Sequence, residues 1–121
     1  MLSGKITRAS KFAKDDHRHF NRHGAAFDRG ETFSGVDFDT GLRAVGQLKK
    51  LVPPGASLAQ MALQWILEFP AVTCAIPGAK RPAQVAENLA ASGLKKLSPA
   101  TMKQIAALYA KDIKPLVHHY W

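Results

Sequence analysis

The sequence predicts an α/β fold, mostly helical, with one strand. Three observations lead there. Four segments between residues 39 and 111 carry apolar side chains at helical spacing. One short apolar run, "AVTCAIP" at residues 71–77, lacks strict alternation over 72–76, as a strand covered on both faces would. Residues 1–37 carry neither pattern. A lone strand cannot satisfy its own backbone groups, so the chain reads as a piece of an α/β protein rather than a whole one.

Residues 1–37 form a long loop, punctuated by Gly4, Gly24, Gly30 and Gly35 and crowded with Lys, Arg and His. "KFAKDDHRHFNRHG" has room for one short helical turn. A structureless stretch of this length suits a loop laid over something larger better than a free-standing compact domain. Residues 38–121 hold the helices and the strand. The first helix runs over 39–51, with Leu42, Val45, Leu48 and Val52 on one stripe, and "VPPG" ends it because proline cannot continue the helical bonding. Ser57 and Gln60 make a capping box for the next helix. In that helix Leu58, Met61, Ala62, Trp65, Ile66 and Phe69 follow at helical spacing. Leu63 and Leu67 add a second apolar stripe, and Pro70 closes the segment. After the strand, residues 82–92 make a helix with proline at its first position, and Val85, Leu89 and Ala86 are read as facing inward. Ser98 caps a last helix to about Lys111, with Met102, Ile105, Ala106 and Tyr109 as the buried stripe. "PLVHHYW" reads as an irregular tail.

The length of 121 residues suits one modest domain, and 46% apolar content permits a core and argues against wholesale disorder. The formal charge of +8 attracts anions: nucleotide phosphates, nucleic acid or acidic lipid. Charge alone does not choose among them. The single cysteine, Cys74, excludes an internal disulfide, and its place in the apolar strand predicts a buried, inert thiol. No apolar run is long enough to span a bilayer, so no membrane partner is expected. The N-terminus has no charged-then-apolar signal pattern, which makes a cytoplasmic location the default.

Chemistry concentrates at "TCAIPGAKRPAQVAEN", residues 73–88. A helix start offers unpaired N–H groups and partial positive charge. Gly78 lets a ligand approach the main chain, and Lys80 and Arg81 add full charges at the same place. The sum suits a phosphate dianion. Gln84 lies one turn into the helix, with Glu87 and Asn88 about two turns in. Gln84 and Asn88 share a face, from which amides and a carboxylate can bond a purine or a ribose. The spacing is also ordinary α/β punctuation with two solvated cations, and it matches neither a Walker loop nor a GxGxxG fingerprint.

At these residues the chain resembles a known family. "ALQWILEFPAVTCAIPGAKRPAQVAENLAA" resembles the C-terminal end of aldo-keto reductases. "LSPATMKQI" is similar to their C-terminal accessory helix, and "IKPLVHHYW" to the terminus of bacterial members. Upstream, "LSGKITR" and "FDRGETFSG" are similar to loops of the same group, so the resemblance covers the whole chain. It implies a C-terminal fragment of an eight-stranded β/α (TIM) barrel that binds NADPH and reduces aldehydes and ketones to alcohols. By position, Gly78, Lys80 and Arg81 would meet the cofactor's 2′-phosphate, with either cation a candidate for the grip. Gln84, Glu87 and Asn88 would face the adenine and ribose, and Leu2, Ser3, Gly4 and Lys5 would meet the pyrophosphate. "FDRGETFSG" would border the substrate entrance.

The resemblance also implies what this chain lacks. The family's Asp, Tyr, Lys and His lie in the first half of the barrel, and no residue here occupies a matching motif. The chain is therefore expected to be inactive alone and to associate with a complementary barrel half, since faces including Trp65 and Ile66 would otherwise be bare. His17, His19 and His23, like His118 and His119, lack the convergent set that zinc requires, and no metal is expected. The alternative is a basic, non-enzymatic module binding anions or nucleic acid through residues 5–29, with Phe12, Phe20 and Phe27 for stacking. Nothing resembles a defined nucleic-acid motif, so nucleic acid ranks well below NADP(H) as a partner.

Overall fold

A computed structural model describes residues 1–120. Its helices are α1 (His17–Phe20), α2 (Phe38–Lys49), α3 (Leu58–Leu67), α4 (Pro82–Ala90), α5 (Pro99–Leu108) and α6 (Lys114–Val117). Local chemistry sets most of their starts. Asp37 caps α2, accepting from the N–H groups of Asp39 and Thr40 at 3.1 Å each. The Ser57–Gln60 capping box closes at both ends: Gln60 N–H donates to Ser57 Oγ at 3.2 Å, and Ser57 N–H to Gln60 Oε1 at 2.9 Å. Ser98 Oγ accepts from Thr101 N–H at 3.0 Å to start α5.

The core lies where α2, α3 and the approach to α5 meet. Val45, Leu58, Met61 and Leu97 are its buried members, with Leu48, Trp65, Met102 and Ile105 packed around them. Gln64 is buried among these side chains. It donates to Glu68 Oε1 at 3.0 Å, and the same oxygen accepts from Leu97 N–H at 3.1 Å, so the polar groups bury with partners.

The opening segment is organised by a second small centre. Asn21 is fully buried; its oxygen accepts from the N–H groups of Ala26 and Phe27, and its nitrogen donates to buried Thr32 Oγ1 at 3.1 Å. Beside it Phe12, Phe33 and Phe38 cluster with ring centroids 5.3–6.4 Å apart. The Arg18 and Arg22 guanidinium groups cover the Phe12 and Phe38 faces at 4.6 and 4.5 Å.

Three sequence-based expectations are corrected. The described residues contain no β-strand, so the expected α/β class, with a strand at 71–77 from an eight-stranded β/α barrel, does not hold: the described chain consists of helices and connecting segments. A strand exists only through ladder bonds to a neighbour, and residues 73–79 make no backbone–backbone hydrogen bond. Their apolar side chains are correspondingly bare, with Ile76 93% exposed. Second, the tail is not irregular. After α5 the chain widens into a π-turn over Tyr109–Ile113 and resumes as α6. Pro115 explains the change: it has no N–H for the carbonyl four residues back, and its ring would clash there, yet a first helical turn accepts it. Third, Val85, Leu89 and Tyr109, expected to face inward, are 48%, 69% and 38% exposed, and the Tyr109 hydroxyl pairs with His118 Nδ1 at 3.0 Å.

The α2 cap makes stability depend on pH. The Thr40 side chain, then the Thr40 and Asp39 N–H groups and the Arg43 charge, hold the Asp37 carboxyl below its ordinary 3.8 against partial burial. A carboxyl depressed on folding stabilises fully above its unfolded value and loses that contribution as pH falls through its folded value. Asp37→Ala is expected to cost about 1 kcal/mol at neutral pH. Thermal melts taken down to about pH 2 should show the wild-type advantage shrinking below pH 3.8. A constant offset at all pH values would contradict the cap's role.

Candidate functional site

The junction entering α4 is open. Arg81 is the N-cap in extended conformation, Pro82 follows inside the helix, and no side chain caps the first N–H groups. Gly78, Lys80 and Arg81 are all exposed, and a Cβ at Gly78 would meet nothing within 4 Å. Neither cation has a carboxylate within ion-pair distance among the described residues, where the pairs are Arg8–Asp39 and Arg18–Asp16. The loop is held from within the helix: Lys80 N–H donates to Gln84 Oε1 at 2.8 Å. Gln84 thus spends its oxygen on the loop rather than presenting it outward.

The site residues around α4 fall on two sides of a ridge made by Val85 and Leu89. Lys80 and Arg81 line an open groove of about 570 Å³ with Pro82 and Ala86. Asn88 lines a separate groove of about 390 Å³ with Leu63, Leu67, Thr73, Cys74 and Ser92. Glu87 is exposed, and its backbone carbonyl accepts from Gln60 Nε2 at 3.0 Å.

Residues 1–4 form a turn that leads into Lys5. Gly4 N–H donates to the Met1 carbonyl at 3.0 Å, and Gly4 has φ +70°, which a residue with a Cβ rarely adopts. A Cβ at Gly4 would also come within 3.2 Å of Lys49 Cε and 3.3 Å of Leu58 Cδ2. The Gly4 carbonyl accepts from Lys49 Nζ at 3.3 Å, which brings a further cation to the turn. Leu2, Ser3 and Lys5 are exposed, with Ser3 Oγ 3.5 Å from Lys5 N–H.

The structure therefore joins the two segments through the first turn of α3. Leu58 lies against Gly4, and Gln60 bonds α4 at Glu87. The sequence reading missed Lys49 and Gln60. The capping box singled out Gln60 without showing where its second hydrogen bond goes.

Cys74, read as buried, is exposed at the edge of the Asn88 groove. The apolar run around it has no sheet to enter. A chromogenic disulfide reagent is expected to label one thiol per chain in native buffer, at a rate close to that in denaturant; protection until unfolding would contradict this placement.

An apolar hollow of about 530 Å³, lined by Met1, Leu2, Leu58, Met61, Trp65 and Ile66 among others, lies between the N-terminal turn and α3. In the basic loop Phe12 is enclosed by Phe33, Phe38 and Arg18, and Arg18 is bonded to Asp16, whose carboxyl it holds well below the usual range. His17 Nδ1 meets Thr32 Oγ1 at 3.1 Å. No group of three or more His, Cys, Asp or Glu side chains among the described residues is placed to hold a metal ion. No helix among them is long and apolar enough to cross a membrane.

The structure thus presents a helix start with two cations that have no carboxylate partner among the described residues, joined through α3 to a glycine turn beside Lys49. The family follows from comparison: residues 1–110 match the model of the aldo/keto reductase family, and the chain belongs to it. The chain is 34% identical over 87 residues to aldo-keto reductase YhdN of Bacillus subtilis (strain 168), covering 70% of this chain and 24% of that protein. It is 40% identical over 68 residues to the protein named "Putative voltage-gated potassium channel subunit beta" of Schizosaccharomyces pombe (strain 972 / ATCC 24843), covering 54% of this chain and 20% of that protein. The chain thus spans a quarter or less of these curated relatives. No solved structure matches it.

Proposed function

We propose that the chain is the NADPH-binding C-terminal portion of an aldo-keto reductase, an enzyme reducing aldehydes and ketones to alcohols. The observation that carries this is the pair Lys80 and Arg81, exposed and without a carboxylate partner at the uncapped start of α4, in a chain whose residues 1–110 match the family. These two cations and the Gly78 backbone bind the 2′-phosphate. Glu87, on the exposed side of α4, meets the adenine and ribose; Asn88 lines the other groove and is left out of the contact, and Gln84 holds the loop that presents Lys80. The segment Leu2–Lys5 takes the pyrophosphate, with Lys49 beside it.

NADPH, when bound, supplies the hydride. This chain contributes binding and orientation only: no residue of it answers to the family's Asp, Tyr, Lys and His, so it reduces nothing until a complementary polypeptide provides them. The bare side chains of Ile76, Val85 and Leu89 support such association. The test is titration of the purified chain with NADPH and with NADH, followed by tryptophan fluorescence, to which Trp65 on the helix that touches both segments contributes. NADPH is expected to bind more tightly. Equal response to the two nucleotides, or salt-sensitive binding of random DNA in their place, would favour the basic-module alternative.

A further inference from the structure

We infer that Gln60 is a positioning residue that sets the spacing between the two phosphate-binding segments; this rests on the reading of the site just given. Its side-chain amide is used at both ends. Gln60 Oε1 accepts from Ser57 N–H at 2.9 Å, which completes the α3 capping box. Gln60 Nε2 donates to the Glu87 carbonyl of α4 at 3.0 Å. In the same helical turn, buried Leu58 lies against the Gly4 turn, where an added Cβ would sit 3.3 Å from Leu58 Cδ2. One rigid turn therefore touches the pyrophosphate segment through Leu58 and the 2′-phosphate segment through Gln60.

The residue type matters chemically. A capping box works equally with Glu or Gln, since it needs only an acceptor oxygen. Only Gln also donates, and a carboxylate would face the Glu87 carbonyl with no proton to share. A ligand with phosphates at both ends gains affinity when the two segments are held at the matching distance, because the second contact becomes intramolecular. A ligand touching only α4 gains nothing from that spacing.

The test compares NADPH with adenosine 2′-phosphate, which carries the α4 contacts alone, on three versions of the 121-residue chain. Gln60→Glu keeps the cap and loses the bond to α4. Gln60→Lys keeps a donor for Glu87 and loses the cap. Gln60→Glu is expected to weaken NADPH about fivefold, the worth of one ordinary hydrogen bond, and to leave adenosine 2′-phosphate unchanged. Gln60→Lys is expected to melt lower than wild type while keeping the wild-type ratio of the two affinities. A parallel fall in both ligands, or no fall in either, for Gln60→Glu overturns the positioning role and leaves the site reading standing. If Gln60→Glu does not fold, Gln60→Lys decides: a retained ratio supports the role and a lost ratio overturns it. A wild-type chain that binds neither ligand overturns the site reading itself, and the inference with it.

Discussion

Met61→Ala is expected to lower the free energy of unfolding by about 2–5 kcal/mol. Met61 is 2% exposed and sits at the centre of the cluster formed with Val45, Leu58 and Leu97. Truncation loses the transfer free energy of the removed atoms and leaves a hollow that two helices must collapse to fill. Domains of this kind total only about 5–15 kcal/mol, so the variant is expected to populate unfolded chain under native conditions. Urea unfolding followed by far-UV circular dichroism reads the change. Leu89→Ala serves as the contrast: at 69% exposed, Leu89 should cost no more than about 0.5 kcal/mol. Equal effects at the two positions would mean that the core is not where α2, α3 and the approach to α5 meet.

The second large effect is on the ligand. Replacing Lys80 and Arg81 together by Ala is expected to weaken NADPH at least about tenfold and to leave NADH within about twofold. The geometry makes this a clean change. Lys80 holds Gln84 through its backbone N–H, which alanine keeps, and Arg81 caps α4 with no side-chain bond to lose. What disappears is charge at an exposed site, so the wild-type preference should also shrink as salt rises. The single variants reveal which cation carries the grip. A double variant that still prefers NADPH would remove the α4 junction as the 2′-phosphate site.

Helix boundaries were legible because their causes are local. Ser57 and Ser98 cap helices through side chains that bond an N–H three residues on, and both do so in the structure; the Asp37 cap of α2 was not read from the sequence. The stripes that held Val45 on one helix and Leu58 and Met61 on the next likewise identified most of the core, since burial of one helix face follows from spacing, while Leu97 lay in no stripe. The candidate site was legible as residue types: glycine and two cations before a proline-started helix. Its arrangement was not. Gln84 and Asn88 share a helix face by spacing, yet Gln84 turns back to Lys80 and Asn88 lines the far groove. The "PLVHHYW" tail misled because Pro115 marks a helix end in one context and a helix start in another.

The sequence alone determined where α2 to α5 start, which residues are apolar enough to pack, where positive charge gathers, and the family to which the chain is similar. Each depends on groups within about one helical turn or on side-chain type. Only the tertiary structure decided that residues 73–79 have no ladder, that Cys74, Val85 and Leu89 stay open, and that Gln60 reaches Glu87 while Leu58 covers Gly4. Burial and pairing belong to partners far apart in the chain. An apolar run carries the tendency to be covered, but what covers it is decided by the rest of the fold.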